Sequence, residues 1–162
     1  MRRRVLQVGM AQYAVGQADD VLRTLGLGSC VGICLHDPAL HLGGLVHIML
    51  PEMALYQDKS TEAKYADTGV RLLVRELQRK GAVPSRLVAK LAGGAQMFTF
   101  SGQSEIMRIG ERNVAATHKA LRELQIPVVA EHTGGNFGRT IEFFCSSGIL
   151  EVRTIGHGTF TI

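Results

Sequence analysis

The chain of 162 residues has no tryptophan, four prolines, three cysteines and an aromatic content of 6%. Each scarcity excludes something. An odd number of cysteines in a chain this long makes no disulfide framework. Cys30 and Cys34 on one strand would lie about 13 Å apart, beyond the roughly 7 Å that a disulfide spans. No apolar run approaches the roughly 18 to 20 residues of a membrane helix. The few aromatics do not interleave with basic residues as in an RNA-binding strand, and no recognition helix is evident, so nucleic acid is not an expected partner. Repeats, low-complexity tracts and linkers are also missing.

What is present belongs to an ordinary folded protein: 46% hydrophobic residues, 20% charged residues and a formal net charge of +4. That length and composition predict one domain over residues 1–162 with a sizeable core. Gln7 and Gln12 interrupt the apolar stretch after Arg2, Arg3 and Arg4, so a signal peptide is not expected and free thiols suit the cytoplasm. Strands are predicted at Val5–Val8, Tyr13–Val15, Val31–Leu35, Leu45–Leu50, Leu87–Leu91, Met97–Phe100, Val128–Ala130, Thr140–Cys145 and Ile149–Ile155. Apolar residues at helical spacing predict helices over Asp67–Lys80 and Glu111–Leu124, the second burying Val114, Thr117, His118, Leu121 and Leu124. Two helices among many strands argue for an α+β layered sandwich rather than a doubly wound sheet.

Chemistry concentrates at Thr24-Leu25-Gly26-Leu27-Gly28-Ser29-Cys30 and, seventeen residues after the cysteine, at His47. A thiol on a glycine-rich turn and an imidazole on the next strand are the two groups that cysteine acyl transfer needs. A tight hairpin at Asp37-Pro38, with paired positions summing to 77, would set Cys30 opposite His47. Gly28, Ser29 and Cys30 would then offer backbone N–H groups to an oxyanion. Thr24 would orient the imidazole, with Ser29 as its competitor for a local hydrogen bond. On the residues alone, Cys30 stays open between a nucleophile and a small buried side chain, and His47 between a base and a half-buried strand histidine.

Other marked residues have plainer readings. A metal site from Cys30, Cys34, His36 and His47 is disfavoured, because the ligands lack close-spaced pairs. Cys34 is expected in the core, and His118 on the apolar face of its helix. His36, His41 and His157 are placed in turns without partners. The glycine loop Gly134-Gly135-Asn136-Phe137-Gly138-Arg139 leads into a strand, which weakens a phosphate-binding reading. Gly134, Gly135 and Arg139 are candidates for substrate or partner contacts, as are Arg112 and Asn113 for surface contacts.

Taken together, Thr24–Cys30, Gly43–Pro51, Lys64–Asp67, Lys90–Met97, Ile109–Asn113 and Gly134–Arg139 resemble the chemoreceptor glutamine deamidase family, CheD. The resemblance spans nearly the whole chain in order. It implies a layered α/β/β sandwich of mixed sheets with two flanking helices, similar to bacterial deamidating toxins. It implies a cytoplasmic cysteine hydrolase that needs no cofactor or metal and converts glutamines of chemoreceptor cytoplasmic helices to glutamate. A glutamyl methylesterase side activity would use the same site. Cys30, His47 and Thr24 match the family's catalytic residues. Some family members also engage the chemotaxis phosphatase CheC, so a binding module acting through that partner is the alternative, as is a cysteine amidase with another substrate. His132 stands where the family leads one to expect an acidic residue.

Overall fold

The computed structural model describes residues 3–58, 61–97 and 108–162. In chain order the elements are β1 (Val5–Val8), β2 (Tyr13–Gln17), β3 (Val21–Leu27), β4 (Val31–Asp37), β5 (Leu42–Ile48), α1 (Ala66–Arg79), β6 (Val88–Gly93), α2 (Ile109–Glu123), β7 (Val128–Thr133), β8 (Arg139–Phe144), β9 (Leu150–Thr154) and β10 (Thr159–Thr161). One sheet has the order β1-β3-β8-β9-β10 and the other β2-β5-β4-β6-β7. Both are mixed, since β1 runs parallel to β3 and β6 parallel to β7 while the remaining pairs are antiparallel. The α+β sandwich expected from the sequence is the observed architecture.

Strand β4 shows how the layers arise. Every residue of Val31–Asp37 is buried, because both of its faces are covered. Val31, Ile33 and Leu35 pack with Val70, Leu73 and Leu77 of α1 and with Ala116, Ala120 and Leu121 of α2. Cys34, on the other face, packs with Leu22, Leu45, Ile141 and Phe143 between the sheets. Each such leucine or phenylalanine contributes roughly 1.5–3 kcal/mol by leaving water, so the helices and the second sheet are both held by burial on this central strand.

Two strands were not legible. No strand is predicted over Val21–Leu27, whose glycine-containing end belongs to the expected turn, yet it pairs with both β1 and β8. Gly26, at φ +69°, lies in a bulge between Thr24 and Leu27, and this conformation is open to glycine at little cost. Such a bulge bends the strand locally and increases its twist. Thr159–Thr161 pairs with β9 although all three of its residues are exposed. The strand predicted over Met97–Phe100 lies outside the described residues except for Met97, which is in no strand.

The second helix is also rotated from its predicted face. Gly110, Asn113, Ala116, Thr117, Ala120 and Leu121 are buried, whereas Leu124 is exposed. Small residues let α2 lie close to the structure beneath: a Cβ on Gly110 would come within 2.3 Å of the Ala95 carbonyl oxygen.

Candidate active site

Because side chains alternate along a strand, Leu45 and His47 share the face of β5 that looks toward the other sheet. Leu22 and Thr24 share the corresponding face of β3 before the bulge. The imidazole and the hydroxyl therefore meet across the sandwich, and both residues are fully buried. Thr24 Oγ1 lies 2.7 Å from His47 Nδ1 and 2.7 Å from the carbonyl oxygen of Val8. A carbonyl only accepts, so the single hydroxyl proton of Thr24 goes to Val8. His47 must then donate from Nδ1 to Thr24, which leaves Nε2 with the free lone pair. That is the tautomer a general base requires. Nε2 is buried and has no hydrogen-bonding partner among the described residues.

The hairpin register differs from the expected one. Pairs sum to 79 instead of 77: Val31 faces Ile48 and Gly32 faces His47. The connection is the four-residue loop 38–41, closed by His41 at φ +51° and by the Leu40 N–H donating to the Asp37 carbonyl. Asp37 anchors it, accepting from Ala39 N–H, Val83 N–H and the Arg86 guanidinium. Cys30 thus sits just before β4, displaced by two positions from the residue opposite His47. The slip preserves the face. Cys30 packs between the sheets with Leu27, Ala92 and Ile141, on the same side as His47, and is 9% exposed. Diagonal neighbours of this kind lie about 7 Å apart, and no thiol–imidazole hydrogen bond is formed in this structure.

The turn that carries the thiol is strapped from outside. Ala95 N–H donates to the Gly28 carbonyl and Gly94 N–H to the Cys30 carbonyl, both at 2.8 Å. Gly93 makes the close approach possible, since a Cβ there would lie 2.2 Å from the Cys30 carbonyl oxygen. Asn113 Nδ2 donates to the carbonyls of Ser29 and Met49, each at 3.0 Å. Sequence reading placed Asn113 at the surface; it is fully buried. The available signal was an amide at i, i+3, i+7 spacing with Ala116 and Ala120 on a small-residue stripe.

Burial sets the electrostatics. It pushes the His47 imidazole down to about 4 and the Cys30 thiol above its ordinary value, the latter eased by the amide of Cys30 itself. At neutral pH the resting pair is a thiol and a neutral imidazole. Cys34 is core, as expected, and all three cysteines are free.

Gly134 and Gly135 line a cleft of about 420 Å³ together with Gly94, Gln96, Glu111 and Thr133, adjoining the strap over Cys30. Arg139 lies beneath it, 2% exposed. Its guanidinium donates to the carbonyls of Gly93 and Gly134 and, from Nε, to His132 Nδ1 at 2.9 Å. Ser29 offers its carbonyl to Asn113 and is not the partner of His47. Among the described residues, no three His, Cys, Asp or Glu side chains gather to hold a metal. His36 is in β4, not a turn, with Nε2 2.8 Å from the Cys145 carbonyl. His41 pairs through Nδ1 with the Ser146 carbonyl, and His157 stacks on Phe137. His118 is half-exposed and pairs with Glu131.

The family model described as CheD chemotactic sensory transduction matches residues 49–154. A probable chemoreceptor glutamine deamidase CheD from Caldanaerobacter subterraneus subsp. tengcongensis is 55% identical over 158 residues, 98% of each chain. The chain belongs to the CheD family. A probable chemoreceptor glutamine deamidase CheD from Syntrophomonas wolfei is 54% identical over 155 residues, 96% of each chain. The chemoreceptor glutamine deamidase CheD of Halalkalibacterium halodurans is 49% identical over 155 residues, 95% of this chain and 96% of its own. The family model begins after Thr24, Cys30 and His47, while these relatives align over nearly the whole length. Among solved structures, the hypothetical protein YfiH of Bacillus licheniformis aligns over 75% of this chain and 49% of its own, with 13% identity and a TM-score of 0.47. Among the described residues, no helix is long and apolar enough to cross a membrane.

Proposed function

We propose that this chain deamidates glutamine side chains of bacterial chemoreceptors, with Cys30 as nucleophile, His47 as base and Thr24 as the group that orients it. CheD membership supports the substrate. The observation that carries the chemistry is the buried Thr24–His47 contact, which leaves His47 Nε2 as an acceptor on the face it shares with Cys30. As Cys30 Sγ bonds to the δ-carbon of glutamine, its proton passes to Nε2. The oxyanion is met by N–H groups of the Ser29–Cys30 turn. His47 then protonates the amide nitrogen, ammonia leaves and a glutamyl thioester remains. Water loses a proton to His47, attacks the thioester and displaces the thiolate. Glutamate is released, and the thiolate recovers the proton. A glutamyl methyl ester would follow the same route with methanol as leaving group.

Purified protein incubated with chemoreceptor cytoplasmic fragments, followed by peptide mass spectrometry, tests the proposal. Conversion of Gln to Glu, with the mass increase of one deamidation, is expected for wild type and not for Cys30→Ala. Identical spectra for the two proteins would refute it. If Cys30→Ala still stimulated a CheC-type phosphatase, a binding role would stand separately from the chemistry.

A further inference from the structure

All three carbonyls of the turn Gly28-Ser29-Cys30 accept hydrogen bonds from outside it, and among the described residues only the middle one is held by a side chain, that of Asn113. The Ser29 carbonyl and the Cys30 N–H belong to one planar trans peptide and point in opposite directions. Anchoring the carbonyl on α2 therefore aims the Cys30 N–H away from that helix. The helix packs on one face of the second sheet, and the thiol lies on the other. Among the described residues, nothing accepts from the N–H of Ser29 or Cys30. The same Asn113 amide grips the Met49 carbonyl, two residues after His47, so one side chain ties the thiol turn to the end of the imidazole strand.

We infer that Asn113 is a positioning residue that sets the oxyanion-binding N–H of Cys30 by fixing the Ser29 peptide plane and locking it to the His47 strand. The inference rests on the proposed thiol chemistry but not on which amide is the natural substrate.

Two reactions of Cys30 separate this role from general support of the fold. Alkylation by iodoacetamide is a displacement at saturated carbon and develops no oxyanion. Acylation by p-nitrophenyl acetate passes through one, and the released nitrophenolate reports its rate. Cys30→Ala supplies the blank for Cys34 and Cys145 in both. Asn113→Ala is expected to slow acylation about 100-fold while alkylation stays within about threefold, because the Gly94 and Ala95 N–H groups still hold the thiol turn and Thr24 still holds the imidazole. On a receptor glutamine, kcat should fall by a similar factor with KM little changed. Asn113→Ser, shorter but still a donor, should fall between and serves if the alanine variant does not fold. An equal loss in both reactions, or no loss of acylation, would overturn the inference. Wild type that leaves receptor glutamines untouched yet shows the split would instead remove the substrate reading alone.

Discussion

Thr24 and His47 lie in different sheets, and their side chains meet 2.7 Å apart at the buried seam between them. The Val8 carbonyl on β1 fixes the direction of that contact by taking the threonine proton. Three strands from two sheets thus decide which imidazole nitrogen is free.

Removing the hydroxyl should disturb that choice. Thr24→Val is expected to lower kcat roughly 10- to 100-fold, since in the proposed mechanism Thr24 orients His47 without moving a proton. It should also lower stability by about 1–3 kcal/mol, because the Val8 carbonyl and His47 Nδ1–H lose a buried partner. Thr24→Ser should stay near wild type in both. Unchanged kinetics for the valine variant would take Thr24 out of the mechanism.

Cys30→Ser and His47→Gln should each abolish deamidation while leaving the circular dichroism spectrum intact. The glutamine variant keeps a polar group of similar reach against Thr24. An unfolded spectrum in either case would favour a core role for the residue in question.

The pH profile carries a distinct signature. With its imidazole held near 4 by burial, His47 stays neutral at pH values well below its ordinary 6.5. The acid limb of kcat/KM is expected near pH 4 to 5, and absorbance at 240 nm should reveal no Cys30 thiolate at pH 7. A limb at 6.5, or a thiolate signal at neutrality, would point to an ion pair instead. Stability moves with the same group. The unfolded chain takes a proton at His47 below about 6.5 and the folded chain only near 4, so stability is lost as pH falls through that interval. The loss is on the order of 3 kcal/mol, and His47→Gln should flatten it in urea titrations run across the same range.

Asp37 supplies a test of the register. Burial pushes its carboxyl up, but the Arg86 guanidinium and the N–H groups of Val83 and Ala39 outweigh this and hold it below its ordinary value. Its contribution is present above pH 4 and disappears as pH falls through the lowered value. Asp37→Asn is expected to cost about 2 kcal/mol, tempered by the exposure of Arg86. Urea unfolding at pH 7 reads that loss directly; a difference under about 0.5 kcal/mol would deny Asp37 the anchoring role.

The sequence alone determined the features that depend on short range. Helical spacing located both helices to within about two residues, and alternation with turn residues located most strands. The two-residue error in hairpin register left Cys30 and His47 on one face, because side chains along a strand repeat with period two and an even slip preserves the face. Tertiary structure decided what no local pattern encodes. Val21–Leu27 becomes a strand only through pairing with β1 and with β8, more than a hundred residues later. Thr24 reaches His47 because the sheets stack, and Asn113 reaches Ser29 and Met49 because α2 packs close to the sheet through its small residues. These contacts join segments from 23 to 84 positions apart. Their geometry is set by how layers pack, so residue types and spacing nominated the thiol and the imidazole, while the fold determined the free nitrogen and the turn's orientation.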